Sequence, residues 1–189
     1  MRNMSRTCIA GVLLALLIMA CAAAAQAPSS NQSIQPAGEE TVPLPRYLEV
    51  RPNIGTGGQP TEAGLRILAQ KGYTSIVNFR TAEEMAAIPY EERLAAELGL
   101  KYFSIPFRGQ EPKEVQAAAF NQLMDALKGE KVFVHCTVAN RVGGMMMIRL
   151  ALREGMDVQA AETEAAKIGL RSEALREFAR QVIQRQQGK

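Results

Sequence analysis

The stretch KVFVHCTVANRVGGMMMIRL, residues 131–150, decides how this chain folds. Its opening, Lys131 to His135, is a short apolar run of β-branched and aromatic residues, the pattern of a strand buried in a parallel sheet. From Val142 onward the sequence is apolar again but of helical length, and Gly143 and Gly144 let that helix begin tight against the sheet. Between the two lies CTVANR. In an open α/β sheet, ligands bind outside the carboxyl ends of the strands. A strand-to-helix turn at 136–141 places backbone amides at that edge, converging at the positive end of the helix. Cys136 then occupies a position that favours a thiolate. Arg141 closes the turn with a guanidinium fork that suits phosphate or sulfate. His135, the single histidine of the chain, directly precedes the thiol. The arrangement is a nucleophile inside an anion cradle. The plainer readings are a space-filling buried thiol, a core histidine and a surface arginine in a helix's first turn; the strand-turn-helix setting favours the cradle.

The same alternation runs outward. YLEV (47–50) is a strand candidate, and NIGTGGQP (53–60) has the composition of a turn-rich loop. TEAGLRILAQKG (61–72) predicts a helix with Thr61 as N-cap and Gly72 as its stop. YTSIVNF (73–79) predicts a strand, YEERLAAELGL (90–100) a helix and KYFSIPF (101–107) a strand. PKEVQAAAFNQLMDALKG (112–129) is a helix with Pro112 at its start and Gly129 at its end. Three closing helices follow over 142–155, 156–170 and 172–186. Strands alternating with helices predict an α/β domain with a mostly parallel central sheet flanked by helices. Met145, Met146 and Met147 are expected as core filler, and Arg80 is expected to pair with Glu83 or Glu84.

The amino terminus bears on the cysteines. MRNMSR supplies two positive charges, an apolar run over residues 7–25 follows, and Ala23–Ala25 form a small-residue exit. Residues 1–25 are therefore expected to be a removable leader, and the protein exported to the periplasm or secreted. A retained anchor or lipid attachment at Cys21 are the alternatives, and they are the one route to a membrane. Residues 26–45, polar and Pro-rich, predict a disordered tether, with the domain over 46–189. Cys8 and Cys21 depart with the leader, so Cys136 stands alone, and one Cys beside one His does not make a structural zinc site. Without Arg2 and Arg6 the mature chain is near neutral and has no basic stripe, so nucleic acid is not an expected partner.

With these residues in view, the segment resembles the cysteine-dependent phosphatases of the protein tyrosine and dual-specificity type, whose signature is His-Cys, five residues, then Arg. It looks closest to a bacterial branch, the beta-lactamase-hydrolase-like phosphatases and the phosphatase domains related to those fused to NAD kinase. That branch has four residues between Cys and Arg and commonly ends in Asn-Arg-Val-Gly; here the sequence is HCTVANRVGG (135–144). The likeness extends through GGQPT, GYTSIVNFR and ELGLKYFSIPF, over about residues 50–155. It implies a parallel sheet with helices on both faces. It also implies Cys136 as nucleophile through a phosphocysteine, and Arg141 with the amides of Thr137, Val138, Ala139 and Asn140 as the phosphate cradle. His135 would position the thiolate, and neither metal nor cofactor is implied. Gln59 is a further candidate from a neighbouring loop.

The departures carry expectations too. Val142 stands where the main families place Ser or Thr, and Asn140 is the loop residue most able to adopt a left-handed backbone. The segment that usually carries an acid Asp reads PFRGQEPKE (106–114) and has none. Glu111 is the expected substitute, with Glu114 a poorer one. The phosphorylated substrate is therefore of unknown type. A rhodanese-like sulfurtransferase using a Cys136 persulfide, and an exported non-catalytic anion-binding module, are the competing readings.

Overall fold

The computed structural model describes residues 42–188; the leader and most of the tether lie outside them. The chain builds a five-stranded sheet in the order β1-β2-β5-β3-β4. The strands are β1 (Leu48–Arg51), β2 (Ile54–Gly57), β3 (Ser75–Asn78), β4 (Lys101–Ser104) and β5 (Val132–His135). β1 runs antiparallel to β2, and every other pairing is parallel. The register aligns Gly57, His135, Asn78 and Ser104 in one row across the sheet. Four strands therefore end on one line, and the segments that leave them meet at a single edge.

The α/β reading of the sequence holds, with one strand unforeseen. Residues 54–57 form β2, fully buried beside the central β5 rather than a loop. Its glycines are there for space: a Cβ on Gly55 would lie 2.1 Å from the Tyr73 hydroxyl. Residues 43–45, read from sequence as tether, are tied to this part of the fold. The Pro43 carbonyl accepts from the Thr61 amide and the Pro45 carbonyl from the Gly58 amide.

Helices cover both faces. α1 (Glu62–Gln70) is capped by the Thr61 hydroxyl and packs with α3 (Glu91–Glu97) on one side, around Leu65, Leu68, Ile76, Leu94 and Phe133. The other face carries α4 (Glu114–Ala126), α5 (Asn140–Arg153), α6 (Val158–Ile168) and α7 (Glu173–Gln187). α5 is buried on nearly every side, between the sheet and the other helices, which explains how Met145, Met146 and Met147 all enter the core at consecutive positions. Gly143 serves the connection between α6 and α7 rather than the sheet, because a Cβ there would meet the Leu170 amide nitrogen at 2.7 Å. A four-residue helix, α2 (Ala82–Met85), stands between β3 and α3. Among the described residues no helix is long and apolar enough to cross a membrane.

Candidate active site

β5 ends at His135, and the turn Cys136–Ala139 leads into α5. Asn140, Arg141 and Val142 open that helix, and the amides of Thr137, Val138 and these three donate to no carbonyl of the described residues outside α5. The turn is held from behind by the GGQP segment. Gly58 forms an antiparallel bridge with Val138, and the Gln59 amide donates to the Thr137 carbonyl at 3.1 Å. The left-handed backbone falls on Ala139 (φ 65), not on Asn140 as the residue types suggested. Asn140 is instead already helical and uses its side chain elsewhere: Oδ1 accepts from the amides of Arg171 at 2.7 Å and Ser172 at 3.1 Å. The α6–α7 connection is thereby pinned beside the turn.

Cys136 lies at the floor of a cleft of about 340 Å³. Thr81, Glu83 and Glu84 form one wall, Arg108, Gly109 and Gln110 another, and Thr137, Val138, Asn140 and Arg141 the third. The thiol is 1 % exposed and is the one free cysteine among the described residues. Val138 projects at the rim, exposed.

Both terminal nitrogens of Arg141 are held by hydrogen bonds. Nη1 donates to the carbonyls of Phe79 (3.1 Å) and Phe107 (2.8 Å), which close two of the neighbouring strands' exits. The Glu84 carboxylate takes the end of the fork from both nitrogens, at 2.8 Å from Nη1 and 2.7 Å from Nη2. Thr137 completes the cluster, its hydroxyl accepting from Nη2 at 3.0 Å and donating to Glu84 Oε1 at 2.9 Å. Nε is the guanidinium nitrogen that donates to no oxygen of the described residues, which leaves it for a ligand. Burial works against the charge of Arg141, but the Glu84 bond and the Cys136 sulfur outweigh it and raise its pKa. The Arg141 bond, with smaller help from Thr81 and Thr137, pushes the Glu84 carboxyl down to about 2.

The sequence pairs Arg80 with Glu83 or Glu84, and in the structure Glu84 is the partner, although its carboxylate has a second and tighter contact. Arg80 Nη2 donates to the Glu84 carbonyl at 2.9 Å, while the carboxylate itself is 3.9 Å from Arg80 Nε and belongs to Arg141. The signal was in the sequence: Thr81-x-x-Glu84 is a capping box, formed here by Thr81 Oγ1 and the Glu84 side chain. A capping box at the carboxyl end of a strand marks a helix start aimed at the ligand edge.

The remaining predicted residues divide. His135 is fully buried beneath the turn, its Nε2 2.6 Å from Oε1 of the equally buried Glu91. Gln59 does not line the cleft; its side chain donates to Glu91 Oε2 at 2.7 Å and accepts from Arg80 Nη1 at 2.6 Å. Glu111 is exposed and outside the lining of the cleft, although its neighbours Arg108 to Gln110 are part of it. The carboxylates that do line it are Glu83 and Glu84. A bond from Thr81 and a backbone amide hold the exposed Glu83 below the usual carboxylate range.

Comparison with known proteins agrees with this geometry. The family model described as a DSP-PTPase phosphatase fused to NAD+ kinase matches residues 47–186. A beta-lactamase hydrolase-like protein of Xylella fastidiosa strain 9a5c is 28 % identical over 127 residues, 66 % of this chain. The chain spans 28 % of the length of that relative. Among solved structures, a DUF442 protein from Shewanella putrefaciens CN-32 superposes with a TM-score of 0.63 at 23 % identity, covering 75 % of this chain and 88 % of the other. Tk-PTP in its active form gives a TM-score of 0.64 at 18 % identity, over 75 % and 98 % of the two chains. The central sheet and its flanking helices are thus the fold of the cysteine-dependent phosphatases.

Proposed function

The chain belongs to the family of DSP-PTPase phosphatases described as fused to NAD+ kinase, and on that premise we propose that it hydrolyses phosphate monoesters through Cys136. The observation that carries the reading is the placement of the thiol and a pre-set guanidinium on one cleft, under amides with no other partner among the described residues. A phosphoryl group seated there would take the turn's amides and Nε of Arg141 on its equatorial oxygens. The Cys136 sulfur attacks phosphorus, an S–P bond forms, the ester P–O bond breaks and the alcohol oxygen leaves with the bonding pair. Water then attacks the phosphocysteine, releasing inorganic phosphate and restoring the thiolate. Arg141 and the amides stabilise the charge that builds on the equatorial oxygens in both steps.

Protonation of the leaving oxygen is the weak point of this site. Glu84 is committed to Arg141, Glu83 is held ionised, and Glu111 stands outside the cleft. General-acid assistance contributes about 10²–10⁴-fold, so turnover should favour esters whose alcohol leaves readily as an anion.

The test compares mature protein with its Cys136→Ser variant, under reductant, on p-nitrophenyl phosphate, with thiosulfate plus cyanide in parallel. Phosphate release that is lost in the variant supports the phosphatase. Thiocyanate formation without phosphate release would replace it with sulfur transfer, and phosphate binding without either product would leave an anion-binding module. The leader-like residues 1–25 support an exported site of action.

A further inference from the structure

A glutamate buried completely is rare, and an ion pair in the interior is poor evidence for stability by itself. Glu91 is 0 % exposed, at the start of α3, and touches two residues of the apparatus described above. One oxygen is 2.6 Å from His135 Nε2, a close polar contact without hydrogen-bond geometry. Neither ring nitrogen of His135 has a hydrogen-bond partner among the described residues, so Glu91 is its nearest polar neighbour on the Nε2 side. The other oxygen accepts from Gln59 Nε2 at 2.7 Å. From Gln59 the bonds continue to Arg80 Nη1 (2.6 Å) and from Arg80 Nη2 to the Glu84 carbonyl (2.9 Å). Glu84 ends the series on the Arg141 fork. The covalent chain closes the ring through residues 135–141, and the Gln59 amide staples its middle at Thr137.

We propose that Glu91 is a positioning residue for the anion site: through His135 it fixes the strand end from which Cys136 projects, and through Gln59, Arg80 and Glu84 it sets the guanidinium opposite. The two groups that must bracket a phosphoryl group are thereby held at one spacing by a polar ring whose members Glu91, Gln59 and Arg80 lie outside the cleft. Small displacements matter at such a site, where about 1 Å can cost 10²-fold. The inference rests on the reading that Arg141 and the turn bind phosphate.

Two readouts test it without turnover: the rate at which iodoacetamide alkylates Cys136, and protection of that thiol by inorganic phosphate. Glu91→Gln removes the charge, and Gln59→Leu cuts the ring at a neutral residue, with the loss of the hydrogen bond that Glu91 Oε2 accepts. We expect Glu91→Gln to slow alkylation and Gln59→Leu to weaken phosphate protection, each about tenfold, as outer partners of a functional group do. Both proteins should keep cooperative unfolding, and any turnover should lose kcat more than it gains KM. Folded variants that match the wild type in both readouts would overturn the proposal and leave Glu91 a core residue only. Absence of phosphate protection in the wild type would instead count against the phosphatase reading, while the alkylation rate of Glu91→Gln still decides the role of Glu91.

Discussion

Replacing Glu84 by Gln is the most informative perturbation of the cleft, because the shape is kept and the charge that holds Arg141 is lost. The carboxylate accepts from both guanidinium nitrogens, from Thr137 and from the Thr81 amide. A fall from the ordinary 4.5 to about 2 corresponds to about 3 kcal/mol if fully expressed. With the side chain 33 % exposed, solvent screening reduces this, and about 1–2 kcal/mol is the expected loss at pH 7. For a domain of this size that is a fall in Tm of about 3–8 °C. The sign in pH follows from the direction of the shift. A depressed carboxyl stabilises fully above its unfolded pKa, so the gap between wild type and Glu84→Gln should be constant above pH 5 or so and shrink as pH falls from 4.5 toward 2. Urea unfolding at pH 7, 5, 4 and 3 reads it. Activity should fall further than stability, about 10–100-fold in kcat/KM, since the free Arg141 fork must be re-ordered at each turnover. A variant with wild-type stability at pH 7, or a stability gap that widens toward acid, would refute the assignment of Glu84 as the anchor of Arg141.

Other substitutions probe the packing and the cleft. Gly55→Ala should cost about 1–3 kcal/mol through collision with Tyr73, and Tyr73→Phe should recover part of it, which a double-mutant cycle by urea titration would show as favourable coupling. Asn140→Ala strands the Arg171 and Ser172 amides and should lose about 1–3 kcal/mol, whereas Asn140→Asp keeps the acceptor and should lose less. A series of aryl phosphates should give kcat/KM values that fall steeply as leaving-group pKa rises, because no neutral carboxylic acid lines the cleft; a flat series would point to an acid such as Glu111 reaching in on binding. Fractionation of cells expressing the full chain should find the protein outside the cytoplasm with residues 1–25 removed.

How much of this was legible without coordinates depended on whether a residue's role is local. The β5–turn–α5 unit announces itself because a buried parallel strand needs a continuous apolar run and the helix that follows needs its own. α1 is equally plain, with Thr61 at one end and a left-handed Gly72 at the other. β2 was hidden because Gly55 and Gly57 have turn composition, and what demands them, the Tyr73 and Phe133 rings, arrives from elsewhere in the chain. Ala139 took the strained backbone because tertiary contact outranks propensity: Asn140 was needed to hold the α6–α7 connection. Cys136 and Arg141 share a cleft as their spacing implied. Glu84 and Glu91 act at a distance of many residues from the partners they touch, and nothing local distinguishes them from solvent-facing helix-start carboxylates, save the capping box at Thr81. The acid expected at Glu111 rested on position in the chain alone, and that segment turns Arg108 to Gln110, not Glu111, to the cleft.

The measurement that tests the central claim most directly is a rapid acid quench of the wild-type protein mixed with p-nitrophenyl phosphate, followed by mass spectrometry of the peptide that carries Cys136. Phosphate bound to that cysteine, absent in Cys136→Ser and accumulating as fast as the first p-nitrophenol is released, is the predicted result. Release of p-nitrophenol with Cys136 never phosphorylated, or a peptide that gains sulfur from thiosulfate but never phosphate, would contradict it.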